Sequence, residues 1–292
     1  MTEAPIFIGG LYKSGTTLLR MMLSQHPSIA SGPETNWFDL NWEEIGQPSN
    51  RDYKGRLWNL RRDGNPMTQI EQLSKIYGFN KNRIKEITQM SSSREDFIDN
   101  FMSEYTKRLG KRRWLEKTPA NILCLKKIFS KWPEAKVIHV YRDPKDIYAS
   151  LKEEKIVNNV MEFVSLWSLF NDTPEKDKKC LKLSDTSLIE VHYEEIIFST
   201  EIVMRKILDF IGEKWVDTVA TFGGCEEDYH KVISVYGKAS DTLDRLRNPL
   251  LKNRVGIWKK IITDDELDYM VKSVETNGLK KLFVKAESKY TL

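Results

Sequence analysis

Cysteine and histidine are scarce in this 292-residue sequence, and their scarcity excludes the commonest kinds of metal and redox site. The three cysteines are Cys124, Cys180 and Cys225, which lie far apart in the chain. Their number and spacing match no zinc site, redox pair or disulfide framework. The four histidines do not cluster either. We therefore expect free thiols and no bound metal.

Long hydrophobic runs are also missing, as is a strong excess of charge of one sign. No stretch approaches the roughly 18 consecutive apolar residues of a membrane-spanning helix. The first residues lack the basic start and apolar run of a signal peptide. The 46 basic and 42 acidic residues leave a net charge of only +4, which does not indicate a nucleic-acid partner. We expect a cytoplasmic protein without a membrane span.

What the sequence does contain is an alternation of apolar strands and amphipathic helices. The predicted strands are residues 6–10, 113–116, 136–141 and 188–192. The predicted helices are residues 17–24, 94–107, 121–131, 144–154, 159–170, 196–211 and 264–274. Strands that alternate with helices favour an α/β fold, in which a central parallel sheet is flanked by helices.

One region departs from this alternation. Residues 35–90 hold Trp37, Phe38, Trp42, Tyr53 and Trp58 among many polar and turn-forming residues. This composition predicts loops and short helices, and the aromatic side chains would either line a ligand cleft or form the core of a lid. Because no long linker is present, we interpret residues 1–292 as a single domain with residues 35–110 as an inserted region.

The segment from Gly9 to Thr17 has the context of a phosphate-binding loop, because it joins a predicted strand to a predicted helix. Its glycines let backbone N–H groups approach an anion, and the helix adds its positive dipole end. The loop differs from that of nucleoside triphosphatases, in which lysine follows the second glycine directly. Here Thr16 follows Gly15, and Lys13 lies two residues before Gly15. A glycine turn that binds no ligand is the alternative.

Several further segments follow in the chain. They are Gly32-Pro33-Glu34-Thr35, Glu116-Lys117-Thr118-Pro119, Val140-Tyr141-Arg142-Asp143-Pro144 with Ser150, His192-Tyr193-Glu194, and Val255-Gly256-Ile257-Trp258-Lys259. Together with the loop, they resemble the superfamily of sulfotransferases that use 3′-phosphoadenosine-5′-phosphosulfate (PAPS). The order of the segments is that of the family. The resemblance is greatest to the branch that contains tyrosylprotein sulfotransferases and bacterial enzymes, and it implies a P-loop-type fold with an inserted acceptor-binding region.

The resemblance also implies catalytic roles. Lys13 would contact the 5′-phosphate and the bridging oxygen of PAPS, while the rest of the loop, Ser14, Gly15, Thr16 and Thr17, would bind the phosphosulfate. Glu34 would be the catalytic base. Pro33 replaces the first glutamate of the family's Gly-Glu-Glu-Thr pattern, which leaves the base position intact. Lys117 would stabilise the transferred group, although it could instead form a simple ion pair with Glu34.

The 3′-phosphate of the donor would be bound elsewhere. By resemblance, Arg142 and Ser150 would hold this phosphate, and Tyr193 would line the nucleotide site. The residues of the late loop, Lys252, Trp258 and Lys259, would close over the same side. The cytosolic branch has Arg-Lys-Gly before this loop, whereas this chain has Leu251-Lys252-Asn253, so only Lys252 carries over. An ion pair of Arg142 with Asp143 or Asp146 is the alternative for that arginine.

The implied reaction transfers a sulfuryl group from PAPS to an acceptor hydroxyl and yields 3′-phosphoadenosine-5′-phosphate (PAP) and a sulfate ester, without a metal. The acceptor class stays open among small molecules, sugars, lipids and peptide tyrosines, and the oligomeric state is not indicated. Two other functions fit parts of the sequence. A P-loop kinase or nucleotide hydrolase shares the loop, and a nucleotide-binding protein without catalysis shares the fold.

Overall fold

A computed structural model of the protein describes residues 3–39, 69–222, 230, 244–248, 252–287 and 290. Part of the predicted inserted region, with Trp42, Tyr53 and Trp58, lies outside these residues. The interpretation of residues 35–110 as an acceptor-binding insert therefore stays a prediction.

The centre of the described chain is a sheet of five parallel strands. The strands are β1 (Ile6–Gly9), β2 (Ile29–Ser31), β3 (Arg113–Lys117), β4 (Lys136–Tyr141) and β5 (Leu188–His192). Their order is β2-β3-β1-β4-β5, and every neighbouring pair is parallel. The predicted α/β class with a central parallel sheet is confirmed. The sequence interpretation missed β2, because three residues are too short to show a strand pattern.

Helices cover both faces of this sheet. Those of the described residues are α1 (Thr16–Ser24), α2 (Gln69–Tyr77), α3 (Lys81–Met90), α4 (Arg94–Arg108), α5 (Leu125–Lys131), α6 (Pro144–Glu153), α7 (Val160–Cys180), α8 (Tyr193–Phe198), α9 (Thr200–Ile211), α10 (Asp264–Thr276) and α11 (Lys280–Ala286). In the part of the chain that the structure describes, none of the helices combines the length and the apolarity needed to cross a membrane.

The core has two parts, one on each face of the sheet. Side chains alternate along a strand, so Phe7 of β1 joins one apolar cluster while Ile6 and Ile8 join the other. The first cluster includes the α4 residues Phe97 and Phe101, and the second contains the apolar side of α1. Because both faces are covered, most strand residues are buried, as expected for a parallel sheet.

Three predicted helices were wrong in detail. Helix α7 does not end at Phe170 but continues to Cys180 through Pro174, whose ring is buried in the helix packing. Tertiary burial therefore outweighs the local cost of proline there. The predicted helix 121–131 begins instead as a 3₁₀ helix, Pro119–Cys124, before α5. The predicted helix 196–211 is two helices, because Ser199 leaves the helical conformation between α8 and α9.

The aromatic residues at the start of the predicted insert belong to the core. Trp37 is fully buried, and its ring centroid lies 5.3 Å from that of Phe101. Phe79, in the turn between α2 and α3, stacks on the same Phe101 ring with centroids 4.5 Å apart. Phe38 is buried as well. For these two residues, Trp37 and Phe38, the alternative of a core role is therefore correct.

Gly15 precedes α1 in a left-handed conformation, with a φ of 95°. A Cβ atom there would lie well inside van der Waals contact with the Tyr193 ring. Gly212 follows α9 with a φ of 76°, but a Cβ atom there would meet nothing within 4 Å. An alanine at either position would strain the backbone, but only at Gly15 would it also clash with a side chain.

Gly15→Ala should destabilise the protein more than Gly212→Ala. The Gly212→Ala change should lower the free energy of unfolding by about 1–2 kcal/mol, the cost of a left-handed alanine. Gly15→Ala adds an overpacking cost of roughly 1–3 kcal/mol, because the Tyr193 ring must move. Urea unfolding at equilibrium measures both losses. Equal losses for the two variants would contradict the close packing of Tyr193 on the loop.

Candidate active site

The carboxyl ends of the five strands meet at one edge of the sheet, where ligands bind in open α/β folds. Each strand contributes one predicted site residue there. Lys13 follows β1, Glu34 follows β2, Lys117 ends β3, Arg142 follows β4 and Tyr193 follows β5. Residues that lie far apart in the sequence are therefore delivered to the same edge by the parallel strand order.

The loop between β1 and α1 is held in a fixed shape by its own hydrogen bonds. The backbone N–H of Gly10 donates to the Pro119 carbonyl at 3.0 Å. The Ser14 hydroxyl donates to the Leu11 carbonyl at 2.6 Å. Helix α1 begins at Thr16 and carries no acidic residue in its first turn. Its first backbone N–H groups and positive dipole end are of the kind that binds anions, and anion binding by this loop stays a prediction.

Lys13 adopts a left-handed conformation with a φ of 70° and projects toward the end of α6. Its ammonium lies 2.5 Å from both carboxylate oxygens of Glu154. Arg245 approaches the same carboxylate, with Nη2 3.4 Å from Oε1. The lysine that the sequence assigns to an anion is thus paired with an acidic side chain that the sequence interpretation did not single out.

Arg142 joins the phosphate loop to the late part of the chain. One guanidinium nitrogen donates to the Lys13 carbonyl at 2.7 Å, and the other donates to the Arg254 carbonyl at 2.5 Å. The guanidinium also lies 4.7 Å from the centre of the Tyr193 ring. Burial raises the pKa of the Tyr193 phenol, so the ring stays neutral beneath this cation. Arg142 is buried and only 3.9 Å from Asp146, so the ion pair is one of several contacts.

The structure adds Arg254 to the predicted set. Its guanidinium donates to the buried Ser150 hydroxyl at 3.3 Å and lies at the same distance from Glu153. By contrast, Lys252 is exposed, and its ammonium lies 5.9 Å from the centre of the Phe198 ring. The resemblance pointed to Lys252 because it matched a family position. Arg254, two residues before Gly256, was recognisable only as another basic residue beside the late loop.

Asp146 fixes the late loop to helix α6. Its carboxylate accepts hydrogen bonds from the backbone N–H groups of Gly256, at 2.8 Å, and Trp258, at 3.1 Å. The Trp258 ring is half-buried, and the Lys145 ammonium lies 5.2 Å from its centre. Lys259 is exposed on the same loop. The predicted late loop thus lies against α6, the helix that carries Ser150.

Glu34 and Lys117 form an ion pair with Nζ and Oε2 2.6 Å apart. The side chain of Lys117 is 2% exposed, whereas that of Glu34 is 35% exposed. The segment that carries Glu34 is anchored by its backbone, because Tyr77 donates to the Pro33 carbonyl at 2.8 Å. The backbone N–H of Asn36 donates to the Thr118 hydroxyl at 3.1 Å. This arrangement presents one carboxylate to solvent beside a buried ammonium.

A second carboxylate, Glu116, lies fully buried beside this pair. It accepts hydrogen bonds from the hydroxyls of Thr35, at 2.6 Å, and Thr118, at 2.8 Å, and from the Asn121 amide at 2.5 Å. Burial raises the pKa of the Glu116 carboxyl, while these hydrogen bonds oppose the shift. Asn121 also donates to the Ile8 carbonyl at 3.1 Å. Glu116 therefore connects the segment of Glu34 to β1 and β3.

Comparison with known proteins places this chain in a family. A sequence model described as the sulfotransferase family matches residues 5–217. The chain belongs to the sulfotransferase family. The resemblance found in the sequence motifs is thereby confirmed.

Curated relatives cover most of this sulfotransferase-family chain. Protein-tyrosine sulfotransferase A of Caenorhabditis elegans is 26% identical over 229 residues, which cover 75% of this chain and 52% of that protein. Nodulation protein NoeE of Sinorhizobium fredii is 28% identical over 299 residues, which cover 94% of this chain and 65% of that protein. The chain thus spans about half to two thirds of the length of these relatives.

Two solved structures share the fold. The sulfotransferase domain of the olefin synthase from Synechococcus PCC 7002 has a TM-score of 0.64 and 18% identity, and the match covers 95% of each chain. The sulfotransferase domain from the curacin biosynthetic pathway has a TM-score of 0.65 and 17% identity, and the match covers 93% of this chain and 97% of that domain. The predicted P-loop-type architecture is confirmed.

Glu194 follows Tyr193 in the chain and is buried against the start of α6. Its carboxylate accepts a hydrogen bond from the backbone N–H of Asp143 at 2.9 Å. Burial is the largest influence and raises the pKa of Glu194 from 4.5 to about 7. The native state therefore retains a proton that the unfolded chain loses at lower pH.

Glu194→Gln should change how stability depends on pH. Between pH 4.5 and about 7 the native state binds more protons at Glu194 than the unfolded state does. The contribution of Glu194 to the free energy of unfolding must then fall as pH rises through this window, by at most about 3 kcal/mol. The neutral amide removes this fall and keeps an acceptor oxygen for Asp143. Urea unfolding from pH 5 to 8 measures the effect.

The control is Glu134→Gln, which makes the same charge change at an exposed site. Glu194→Gln should gain stability relative to both the wild-type protein and this control as pH rises. If all three proteins have parallel pH profiles, Glu194 does not titrate in this window.

Proposed function

We propose that the protein is an enzyme that transfers a sulfuryl group from PAPS to an acceptor hydroxyl. The observation that carries the proposal is that two groups of cationic and hydrogen-bond-donating residues lie at one sheet edge, each suited to bind an anion. The phosphate loop with Lys13 forms one centre, and Arg142 with Arg254 and Ser150 forms the other. PAPS carries anionic groups at both its 5′ and 3′ positions, whereas the phosphates of ATP occupy only the 5′ position.

The donor would be held by residues on four elements. The 5′-phosphosulfate would bind Lys13, the N–H groups of the loop and the hydroxyls of Thr16 and Thr17. The 3′-phosphate would bind Arg142, Ser150 and Arg254. The nucleotide would lie along the surface formed by Tyr193 and Trp258, with Lys252 and Lys259 adding positive charge at the rim. The backbone contacts of Arg142 with both loops support this division, because they hold the two centres in a fixed relation.

Glu34 and Lys117 would carry the chemistry at the acceptor. The Glu34 carboxylate removes the proton of the acceptor hydroxyl as the oxygen forms its bond to sulfur. The bond between sulfur and the bridging oxygen of the donor breaks, and PAP leaves with that oxygen. Lys117 and Lys13 stabilise the charge that develops on the sulfuryl and leaving oxygens. The short contact between Glu34 and Lys117 supports the assignment, because it holds base and cation side by side.

The acceptor is proposed only as a class, a hydroxyl compound. Several curated relatives are named protein-tyrosine sulfotransferases, which supports a peptide tyrosine as one candidate. Sugars, lipids and other small molecules with a hydroxyl group are the other candidates. The buried positions of Trp37 and Phe38 remove these two side chains from any acceptor surface.

Arg142→Ala should weaken the binding of PAP at least about 10-fold, because it removes a charged partner of the 3′-phosphate. The measurement is isothermal titration with PAP, 5′-AMP and ATP with magnesium. The wild-type protein should bind PAP with a micromolar or lower Kd and should bind 5′-AMP, which lacks the 3′-phosphate, more weakly.

Two variants make this titration specific. Arg142→Lys keeps the charge but loses the forked geometry, so its affinity should lie between those of the wild-type protein and Arg142→Ala. Arg205→Ala removes an arginine that pairs with Glu201 on α9 and should bind PAP normally. Tighter binding of ATP with magnesium, together with no effect of Arg142→Ala, would instead support a P-loop kinase.

Glu34→Gln should lower turnover by about 100- to 10,000-fold, the usual contribution of a general base. Its Kd for PAP should stay within about twofold of the wild-type value, because the amide is neutral and nearly isosteric. Transfer from PAPS labelled with sulfur-35 measures turnover, with a tyrosine peptide, an oligosaccharide, a lipid alcohol and a small phenol as acceptors. Glu134→Gln serves as the control. Full turnover in Glu34→Gln would exclude Glu34 as the base.

A further inference from the structure

One face of helix α6 carries a row of oxygen-bearing side chains that meet the cations of the site. Asp146, Ser150 and Glu154 are spaced four residues apart and so lie on the same side of the helix. Asp146 lies 3.9 Å from Arg142, Ser150 accepts from Arg254 at 3.3 Å, and Glu154 lies 2.5 Å from Lys13. The last of these contacts is the shortest in the row.

The two carboxylates of this row are held in different ways. Asp146 is 1% exposed and accepts hydrogen bonds from two backbone N–H groups of the late loop, so it is part of the framework. Glu154 is 23% exposed, and its contacts are with the charged ends of two long side chains, Lys13 and Arg245. Both partners are able to rotate away, because lysine and arginine side chains have many rotamers.

The position of Glu154 at the end of the helix does not stabilise its negative charge. Glu154 is the capping residue at the carboxyl end of α6, where the helix dipole disfavours an anion. The two neighbouring cations therefore supply the favourable interaction. The second cation, Arg245 at 3.4 Å, gives the carboxylate a partner that does not depend on Lys13.

Resting on the proposed function, we infer that Glu154 is an internal counter-ion for Lys13 that the incoming sulfuryl donor must displace. A phosphosulfate bound to Lys13 competes with the Glu154 carboxylate for the same ammonium group. Two anions at this distance repel each other, and the site is partly shielded from water, which strengthens the repulsion. Rotation of Glu154 toward Arg245 then releases Lys13 without leaving the carboxylate unpaired. Glu154 thereby sets the affinity for the donor.

This inference predicts a gain of affinity when a charge is removed. The apparent affinity of a site equals its intrinsic affinity multiplied by the fraction of molecules in which the binding group is free. Glu154→Gln raises this fraction for Lys13, so it should tighten PAP binding by about 3- to 10-fold. The gain should shrink as ionic strength rises, because salt screens partly exposed charges. Loss of an ordinary structural ion pair would have the opposite sign or no effect on binding.

The experiment is a double-mutant cycle measured by isothermal titration with PAP in low salt. It compares the wild-type protein, Glu154→Gln, Lys13→Met and the double variant, and Glu134→Gln controls for net charge. Glu154→Gln should bind PAP about 3- to 10-fold more tightly than the wild-type protein. The same change in the Lys13→Met protein should alter the Kd by less than about twofold, because the group over which the anions compete is gone. Glu134→Gln should bind as the wild-type protein does.

The possible outcomes separate the inference from the proposed function. If the wild-type protein binds PAP but Glu154→Gln binds it equally or less tightly, the inference is wrong and the proposed function stands. Equal tightening with and without Lys13 would also overturn the inference, since the effect would be one of general charge. Failure of the wild-type protein to bind PAP would overturn both. If Glu154→Gln does not fold, Glu154→Asp replaces it, and its shorter reach should still tighten binding.

Discussion

The parallel direction of the five strands is the constraint on which the proposed site depends. Because all carboxyl ends lie at one edge, each strand places one site residue at that edge, although these residues lie far apart in the sequence. Helices on both faces keep the strands in register, and the apolar clusters that hold them contain none of the proposed catalytic groups. The apolar residues within the strands thus stabilise the fold, whereas the residues at the strand ends form the proposed site. The core fixes where a strand ends, and the residue after that end is free to be polar.

At the edge itself, polar contacts take over from apolar packing. Glu116 is fully buried, and the energetic cost of a buried carboxylate is acceptable only when its oxygens are hydrogen-bonded, as they are to Thr35, Thr118 and Asn121. Through these bonds the segment of Glu34 is fixed to the strands beside it. The proposed base is consequently placed by a network rather than by a secondary-structure element, and displacement of any member would move it.

Much of the fold was predictable from sequence, because the strands β4 and β5 are short segments rich in Val, Ile and Leu, and their bounds agree with prediction. The motif residues were predictable because they lie at fixed distances from those strands. The roles of Arg254, Glu116 and Glu154 were not, since each depends on a partner more than 80 residues away or on the path of the late loop. The length of helix α7 was underestimated because proline normally ends a helix, whereas Pro174 is buried inside α7 by tertiary packing. The inserted region remains a prediction, because residues 40–68 lie outside the described part of the chain.

The short strand β2 has a consequence for how such proteins diverge. Among the described residues it is an edge strand of three residues whose one partner is β3, and the segment after it carries Glu34 and is anchored to Tyr77 of α2. Replacement of residues in helices α2 to α4 would therefore reshape the surroundings of the proposed base, while the proposed nucleotide-binding half, built on β1, β4 and β5, stays as it is. Under the proposed function, change on this one flank would be the readiest route to a new acceptor, because it leaves the strands of the proposed donor site in place.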